Sequence, residues 1–345
     1  MNSNKLTIIH CVGINSHGGR EYLKYIINDY ANKNYCLFLD ARIDPRTIKA
    51  KKYKRFKNNL LLRIYILSKR IIWKITNKKQ IEELFINGIP PLFKINDSNK
   101  ITIMFQNVFL LDPSYNKYLN LQNKIKFNLL RKFIKTFLKK SYDIQLQTNS
   151  MIKHFKKLNK KYNKVIINKR IWIDYFKNVY KNEYNLEELR QNFQNFNIVE
   201  NIINSGSTTY FYPASFEKHK NHYRLIKAFE KLPNKVKKNA YIFLTINKED
   251  ISKITKEPHI IAIGVLNRNF LNYLFSKSNF LIFPSLVESL RIPVLEARYS
   301  NLKIISSNIE VIAEISNPFL KFKPKSIDEI SKAIINSHKT ISLKK

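Results

Sequence analysis

Short apolar runs alternate along the chain with segments whose apolar residues recur at helical spacing. In the first half, such a run precedes or follows each amphipathic segment, which is the pattern of a mostly parallel sheet covered by helices on both faces. The predicted strands are residues 5–12, 35–41, 100–105, 142–147 and 164–168. The predicted helices are residues 21–31, 122–140 and 151–158, the last capped by Thr148 or Ser150.

The alternation restarts after a polar, Asn-rich stretch at residues 175–203, which is expected to be a connecting helix and linker. The second series predicts strands at residues 208–212, 241–246, 259–263, 280–283 and 303–306, with helices at 221–232 and 270–277, from 293, and from 326. Ser326 followed by Glu329 is a capping-box pattern. The fold class is therefore α/β, with two Rossmann-like domains facing each other across a cleft. The predicted domain limits are 1–195 and 205–325, followed by a C-terminal helix and tail at 326–345.

Length and composition restrict the class of protein. A chain of 345 residues is long enough for two cores, and its 44% hydrophobic content excludes a disordered or fibrous protein. Cys11 and Cys36 lie in strand-like runs and are expected to be buried thiols in a reducing compartment. No Cys or His spacing is typical of a metal site. The N-terminal apolar run is too short for a signal peptide, and no run approaches the ~20 residues of a membrane-spanning helix, so a cytoplasmic location is expected.

The net charge of +37 implies anionic partners. Because Lys is abundant everywhere in the chain, part of this charge is expected to be solvated surface. An anionic membrane or a phosphorylated substrate is favoured over nucleic acid. The segment around residues 51–75 has basic residues in its first half and aliphatic ones in its second. It fits either a core-facing helix or an interfacial helix on the inner face of the cytoplasmic membrane.

The most informative stretch, residues 279–297, reads NFLIFPSLVESLRIPVLEA. A buried strand is followed by a loop, and Pro293 suits the first position of a helix. Glu288 lies in the loop and Glu296 in the first helical turn. Backbone N–H groups at a helix start attract phosphate, and carboxylates accept hydrogen bonds from sugar hydroxyls, so the stretch suits a nucleotide-sugar.

Two segments together resemble retaining GT-B glycosyltransferases of the large family 4 type. They are PSLVESLRIPVLEA, with Glu288 and Glu296, and FYPASFEKHKNHYRLIKAF at residues 211–229, where a Lys-Asn pair opens the first helix of the donor domain. The resemblance implies that Lys220 neutralises the donor diphosphate, that Glu288 contacts the transferred sugar and that Glu296 contacts the ribose. The other donor-binding residues that it implies are Lys218, Asn221, Ser289, Leu290, Arg291, Gly18 and Gly19.

Alone, each of these residues has a simpler explanation. Glu296 would be a favourable charge at a helix start, and Lys220 a solvated surface residue. The Gly18-Gly19 pair, in a predicted loop at residues 13–20, could let the backbone approach a phosphate, but such pairs are common. His10 and His17 fit packing or surface positions better than catalytic ones.

The chain departs from the family pattern at three places. The Arg that often precedes the Lys is replaced by Ala214-Ser215-Phe216, so Lys218, His219 or Arg291 would have to substitute for it. The usual Gly-Phe-Gly after the first Glu is Ser289-Leu290-Arg291, which makes the loop stiffer and more cationic. Gln106-Asn107 occupy the strand end where many members carry a His.

The expected activity is transfer of a sugar, with retention, from a nucleoside diphosphate sugar to a lipid-linked or saccharide acceptor in bacterial surface polysaccharide synthesis. The resemblance also implies that no cofactor or metal is needed, and Lys220 and helix N–H dipoles would offset the leaving-group charge instead. Two alternatives remain at this stage, a basic nucleic-acid-binding α/β protein and a catalytically degenerate GT-B partner module.

Overall fold

The computed structural model describes residues 5–14, 17–59, 62–63, 80–91, 100–160, 162, 165–167, 183–193 and 195–343. The chain divides into two compact units, residues 1–169 and 170–345. These units do not test the predicted domain limits, which remain a prediction. None of the helices in the described ranges is long and apolar enough to cross a membrane.

The first unit contains a parallel sheet with the strand order β3-β2-β1-β4-β5-β6-β7. Its strands are β1 (Lys5–His10), β2 (Tyr35–Asp40), β3 (Tyr53–Phe56), β4 (Gln80–Asn87), β5 (Lys100–Phe105), β6 (Asp143–Leu146) and β7 (Val165–Ile167). Its helices are α1 (His17–Asp29), α2 (Leu121–Phe137) and α3 (Asn149–Leu158), with 3₁₀ turns at Pro45–Ile48, Val108–Leu110 and Pro113–Tyr118. The chain runs outward from β1 to β3, returns to β4 beside β1, and continues in the other direction.

The second unit repeats this plan with the strand order β10-β9-β8-β11-β12-β13, all pairs again parallel. Its strands are β8 (Thr208–Tyr212), β9 (Ala240–Leu244), β10 (Ile260–Ala262), β11 (Phe280–Phe283), β12 (Lys303–Ser307) and β13 (Leu320–Phe322). Its helices are α4 (Leu186–Asn192), α5 (Phe196–Asn204), α6 (His222–Glu230), α7 (Asn234–Lys237), α8 (Lys248–Ser252), α9 (Arg268–Lys277), α10 (Ile292–Tyr299), α11 (Glu310–Ala313) and α12 (Ile327–Ser342). A 3₁₀ turn at Lys218–Lys220 precedes α6.

The central strands of both sheets are largely buried on both faces, which explains why their sequences are mostly apolar. Every residue of β8 and β11 is buried, and so is every residue of β5 after Lys100. The helices cover these faces; for example, the Tyr210 hydroxyl on β8 donates to the Ile334 carbonyl of α12 at 3.0 Å. The predicted α/β class with two parallel sheets is confirmed.

The bounds of β5, β8 and β11 agree with the prediction, and so do two helix caps. Thr148 accepts from the Met151 N–H at 3.2 Å, and Ser326 from the Glu329 N–H at 3.1 Å. Both cysteines are free thiols; Cys11 is buried and Cys36 half-buried. Burial raises the pKa of both thiols.

Two local predictions were wrong. The loop predicted at residues 13–20 ends early, because α1 begins at His17, so Gly18 and Gly19 belong to the first turn of a helix. Within the basic segment, Tyr53–Phe56 form an edge strand in which three of the four residues are exposed, a polar pattern that gives no strand signal. Most of residues 60–79, including the aliphatic half of the proposed interfacial helix, lie outside the described residues.

Candidate functional site

The order in which the chain adds strands to the second sheet reverses between the neighbouring strands β8 and β11. The loops that follow these two strands carry most of the predicted site. In open α/β sheets, ligands bind outside the carboxyl ends of the strands at such a switch point. Residues 213–221 follow β8 and residues 284–291 follow β11. We call these two loops the second switch point.

Hydrogen bonds join the two loops. The Leu286 N–H donates to the His219 carbonyl at 2.8 Å. The Tyr212 hydroxyl, at the end of β8, donates to the Lys220 carbonyl at 2.8 Å and lies 3.1 Å from the Ser285 hydroxyl. Because Tyr212 is fully buried, these bonds hold Lys220 at a fixed distance from the loop that carries Glu288.

Asn221 also joins the loops. It has a left-handed backbone with φ 65°, which Asn tolerates better than most residues. Its amide nitrogen donates to the carbonyls of Pro284, at 3.0 Å, and Pro324, at 2.6 Å, while its oxygen accepts from Arg224 at 3.0 Å. The side chain of this predicted donor-binding residue is therefore committed to positioning the loops.

Lys220 and Glu288 form the central contact of the site. The Lys220 Nζ lies 2.7 Å from the Glu288 Oε1, and the two side chains are only 19% and 8% exposed. Burial by itself would raise the pKa of Glu288. The positive charges of Lys220 and Arg291, together with the hydrogen bond from Lys220, outweigh this and hold the pKa below its ordinary value. Glu288 is therefore ionised at neutral pH.

Arg291 is the largest fully buried side chain in the described residues, with no exposed surface. None of its three guanidinium nitrogens has a hydrogen-bond partner among those residues, and the group lies 5.7 Å from the ring centroid of Phe283. Burial lowers its pKa to about 10, opposed by Glu288, so it remains charged at neutral pH. Lys220, Arg291 and Glu288 therefore leave one excess positive charge, which favours an anionic ligand.

Glu296 is the fifth residue of α10, one position later than predicted, because this helix begins at Ile292 and not at Pro293. Its side chain is 4% exposed and its carboxylate is ion-paired with Arg268, at the start of α9. Sequence reasoning missed Arg268, which lies 28 positions away from its partner. Any sugar hydroxyl bound by Glu296 would have to share the carboxylate with this guanidinium.

The remaining predicted residues lie around or away from this centre. Lys218 is exposed, and Ser289 and Leu290 are half-buried in the loop after β11. The His219 Nδ1 lies 3.3 Å from a Glu217 carboxylate oxygen. Burial and the charge of Lys220 lower its pKa. Gly18 and Gly19 lie in the first unit.

In the first unit, His10 at the end of β1 is fully buried, and burial followed by the charge of Arg63 lowers its pKa to about 3. This neutral ring packs edge-on against Phe38, as expected for a packing residue. Among the described residues no three His, Cys, Asp or Glu side chains are arranged to hold a metal ion.

The second switch point lies within a stretch that matches a known protein family. Residues 193–339 match the model of the glycosyl transferases group 1 family. This match spans Lys220, Glu288 and Glu296, although it covers less than half of the chain. O-antigen chain mannosyltransferase B of Escherichia coli is 26% identical over an alignment of 135 residues that covers 36% of this chain and 35% of that protein. The similarity thus extends over about a third of that relative's length.

Solved glycosyltransferase structures resemble the whole chain. Sucrose-phosphate synthase from Thermosynechococcus elongatus has a TM-score of 0.67 at 10% identity, covering 98% of this chain and 94% of that one. HepE from Anabaena, in complex with UDP-glucose, has a TM-score of 0.64 at 9% identity, covering 98% and 92%. WaaG, a glycosyltransferase involved in lipopolysaccharide biosynthesis, has a TM-score of 0.63 at 13% identity, covering 98% and 93%. At such identities the likeness establishes the fold alone, which is the fold of GT-B glycosyltransferases.

Proposed function

We propose that this protein is a retaining glycosyltransferase of the family 4 type. It transfers a hexosyl group from a nucleoside diphosphate sugar to an acceptor hydroxyl in bacterial surface polysaccharide synthesis. The observation that carries the proposal is the buried Lys220–Glu288 ion pair at the switch point of a sheet that matches group 1 glycosyltransferases. The similarity to an O-antigen mannosyltransferase supports the choice of product class.

The charges of the second switch point suit departure of a nucleoside diphosphate. As the bond to the sugar breaks, negative charge develops on the diphosphate oxygen, and Lys220 is the cation that can contact it. Arg291 has no exposed surface, so it would act through its field, which is strong because the surroundings are poorly solvated. With two cations in place, the leaving group needs no metal ion.

Glu288 would meet the transferred sugar. Its pairing with Lys220 keeps the carboxylate ionised and fixed before the donor arrives, and preorganised charge costs no reorganisation during the reaction. When the diphosphate engages Lys220, Glu288 gains capacity to accept hydrogen bonds from sugar hydroxyls. Glu296 would bind the ribose while it stays paired with Arg268, and the backbone N–H groups of the loop after β11 would hold sugar or phosphate oxygens.

The acceptor is proposed to be a lipid-linked or free saccharide, with the enzyme in the cytoplasm and peripheral on the inner face of the cytoplasmic membrane. The charge of +37 supports attraction to anionic lipids. Nucleic-acid binding is not favoured, because the residues of the second switch point lie within the stretch that matches a glycosyltransferase family.

The test is a panel of nucleoside diphosphate sugars, including mannose and glucose donors, assayed for transfer, for donor hydrolysis and for the rise in melting temperature on binding. We expect at least one nucleotide to stabilise the protein. Lys220→Met and Glu288→Gln should each lower turnover by about 100-fold or more, as removal of a preorganised charge does in other enzymes. Added chelator should leave the rate unchanged.

Lys231→Met provides the matched control, because Lys231 pairs with Asp328 at the same 2.7 Å in the same unit but on the surface. It should leave transfer intact. If Lys220→Met and Glu288→Gln also leave transfer intact, the site assignment fails. Nucleotide binding without turnover of any donor would instead support the degenerate-module alternative. Salt-dependent RNA or DNA binding that is unaffected by Glu288→Gln would support the nucleic-acid alternative.

A further inference from the structure

The helix α2 of the first unit packs on the sheet through one face only. Leu130, Arg131 and Ile134 are its buried residues, and the next residue of the chain beyond this face, Leu138, is buried as well. The guanidinium of Arg131 turns inward to the Phe109 carbonyl and to Asn116. The orientation of the helix is therefore fixed, and the residues on the opposite side point to solvent.

That outer side carries a row of aliphatic residues. Leu121 is 71% exposed, Ile125 53% and Leu129 57%. Residues four apart lie above one another on a helix, so the three side chains form one continuous ridge over two turns. A solvated helix face normally carries polar residues in such positions, whereas single exposed apolar residues need no explanation. We call these three residues the α2 ridge.

Positive charge surrounds the α2 ridge. The helix, LQNKIKFNLLRKFIKTF, contains no acidic residue. Lys124 and Lys126 flank the ridge on either side of Ile125, and Lys132 and Lys135 continue the exposed face beyond Leu129. An apolar ridge bordered by lysines is the pattern of a helix that lies in the interface of an anionic bilayer, apolar side chains inserted and ammonium groups at the headgroups.

We infer that the outer face of α2 is the surface through which this protein docks on anionic lipid. The positive charge around the α2 ridge favours anionic lipid over the other partners that an exposed apolar ridge could bind. A second copy of the chain would bring a like-charged face against this one, and nucleic acid would gain nothing from three inserted aliphatic side chains. The inference deepens the membrane association proposed above and moves its main contact from residues 51–75 to α2. It does not depend on the transfer chemistry.

The experiment measures co-flotation of the full chain with vesicles of phosphatidylglycerol and phosphatidylcholine, and with vesicles of phosphatidylcholine alone. The test variant is Leu121→Gln/Ile125→Gln/Leu129→Gln. The matched control is Ile198→Gln/Val265→Gln/Leu343→Gln, which removes three exposed aliphatic residues from the second unit. The wild type and the control should bind anionic vesicles equally, and the test variant at least about tenfold more weakly, since interfacial binding scales with buried apolar area.

A second arm tests the charge. Lys124→Gln/Lys126→Gln/Lys132→Gln should weaken flotation with anionic vesicles, and raised salt should do the same to the wild type.

Unchanged flotation of the ridge variant would overturn the inference. So would a ridge variant that loses a dimer in light scattering while keeping its vesicle binding. The nucleotide-dependent rise in melting temperature, measured on the same variants, should be unchanged. Failure of donor binding would count against the proposed enzyme and not against the α2 ridge.

Discussion

The two sheets have the same plan, and each places an arginine at its switch point. Arg63 in the first sheet is half-buried and hydrogen-bonded, whereas Arg291 in the second is fully buried without a hydrogen-bond partner among the described residues. In the first sheet the switch point lies between β1 and β4, where the Arg63 Nη2 donates to the Asn87 carbonyl at 3.3 Å. In the second, Arg291 lies beside Glu288. Burial is the main cause that lowers the pKa of each arginine to about 10, and a nearby carboxylate opposes it in both places.

The two carboxylates, Asp40 and Glu288, differ in how exposed their cationic partners are. Asp40, at the end of β2, accepts from Arg42 through both oxygens at 2.8 Å and from the Gly13 N–H at 3.0 Å. Arg42 is 52% exposed, so this pair lies at the rim. Lys220 is only 19% exposed, so the pair with Glu288 is largely desolvated. The arginine at the first switch point thus donates to a backbone carbonyl, whereas Arg291 at the second has no hydrogen-bond partner among the described residues.

The largest loss of unfolding free energy is expected when the desolvated pair of Lys220 and Glu288 is broken. Lys220→Met leaves Glu288 buried beside Arg291 alone, and breaking a buried pair by removing one partner typically costs about 3 kcal/mol or more of unfolding free energy. The measurement is urea denaturation of the second unit's transition within the full chain. Lys231→Met, in a solvated pair, should leave the midpoint unchanged. Equal shifts for the two variants would mean that the buried pair is no more than a surface contact.

A smaller loss is expected at the residue that joins the loops of the second switch point. Asn221→Gly keeps the left-handed backbone but removes the donors to the Pro284 and Pro324 carbonyls. Loss of the partners of one buried and one partly buried carbonyl should cost about 2 kcal/mol in total. Denaturation measures this loss, and nucleotide affinity should fall with it because the loops are no longer held together. Full stability with normal affinity would show that Asn221 does not position the site.

The next prediction concerns the first switch point. Gly13 has φ 98°, and a Cβ there would lie 2.8 Å from the Arg63 Nη1. Gly264 has φ 75° but nothing within 4 Å, so Gly264→Ala measures the backbone strain alone, at about 1 kcal/mol. Gly13→Ala should cost about 1 kcal/mol more, because Arg63 must move and weaken its bond to Asn87. Equal losses in thermal denaturation would mean that Arg63 is not held in place.

These differences explain which parts of the molecule could be predicted from the sequence. The strand β11 is a continuous apolar run and β8 ends in three aromatic residues. The loops after them carry a motif, so Lys220 and Glu288 were predicted together. The edge strand β3 is exposed and basic, and its pairing with β2 is a tertiary contact that leaves no periodic signal. The early start of α1 was missed because a Gly pair is a weak helix former that tertiary packing can override.

The burial and the partners of the charged side chains also depend on tertiary contacts that the sequence does not show. The sequence identifies Arg291 as an unusual residue in the loop, but its complete burial depends on Phe283 and on the packing of α10, which no local pattern encodes. The pairing of Glu296 with Arg268 likewise joins helices that are distant in sequence. Motifs therefore predict a set of candidate site residues, and the structure shows which of them already have partners.

The smallest effect is expected in how the unfolding free energy depends on pH through the carboxylates of Glu288 and Asp40. Burial alone would raise the pKa of both, yet their cationic partners and hydrogen bonds lower the pKa of Glu288 and of Asp40 in the folded protein. Each therefore contributes stability above the carboxyl pKa of the unfolded chain and loses it as the pH falls through the lower folded value. In urea denaturation between neutral pH and pH 3, the unfolding free energy of Glu288→Gln and of Asp40→Asn should each fall less steeply with acid than that of the wild type.

Added salt should reduce the stability contributed by Asp40 more than that contributed by Glu288, because half-exposed Arg42 is screened and Lys220 is not. Equal salt sensitivity of the two contributions would contradict the distinction between the half-exposed Asp40–Arg42 pair and the desolvated Lys220–Glu288 pair.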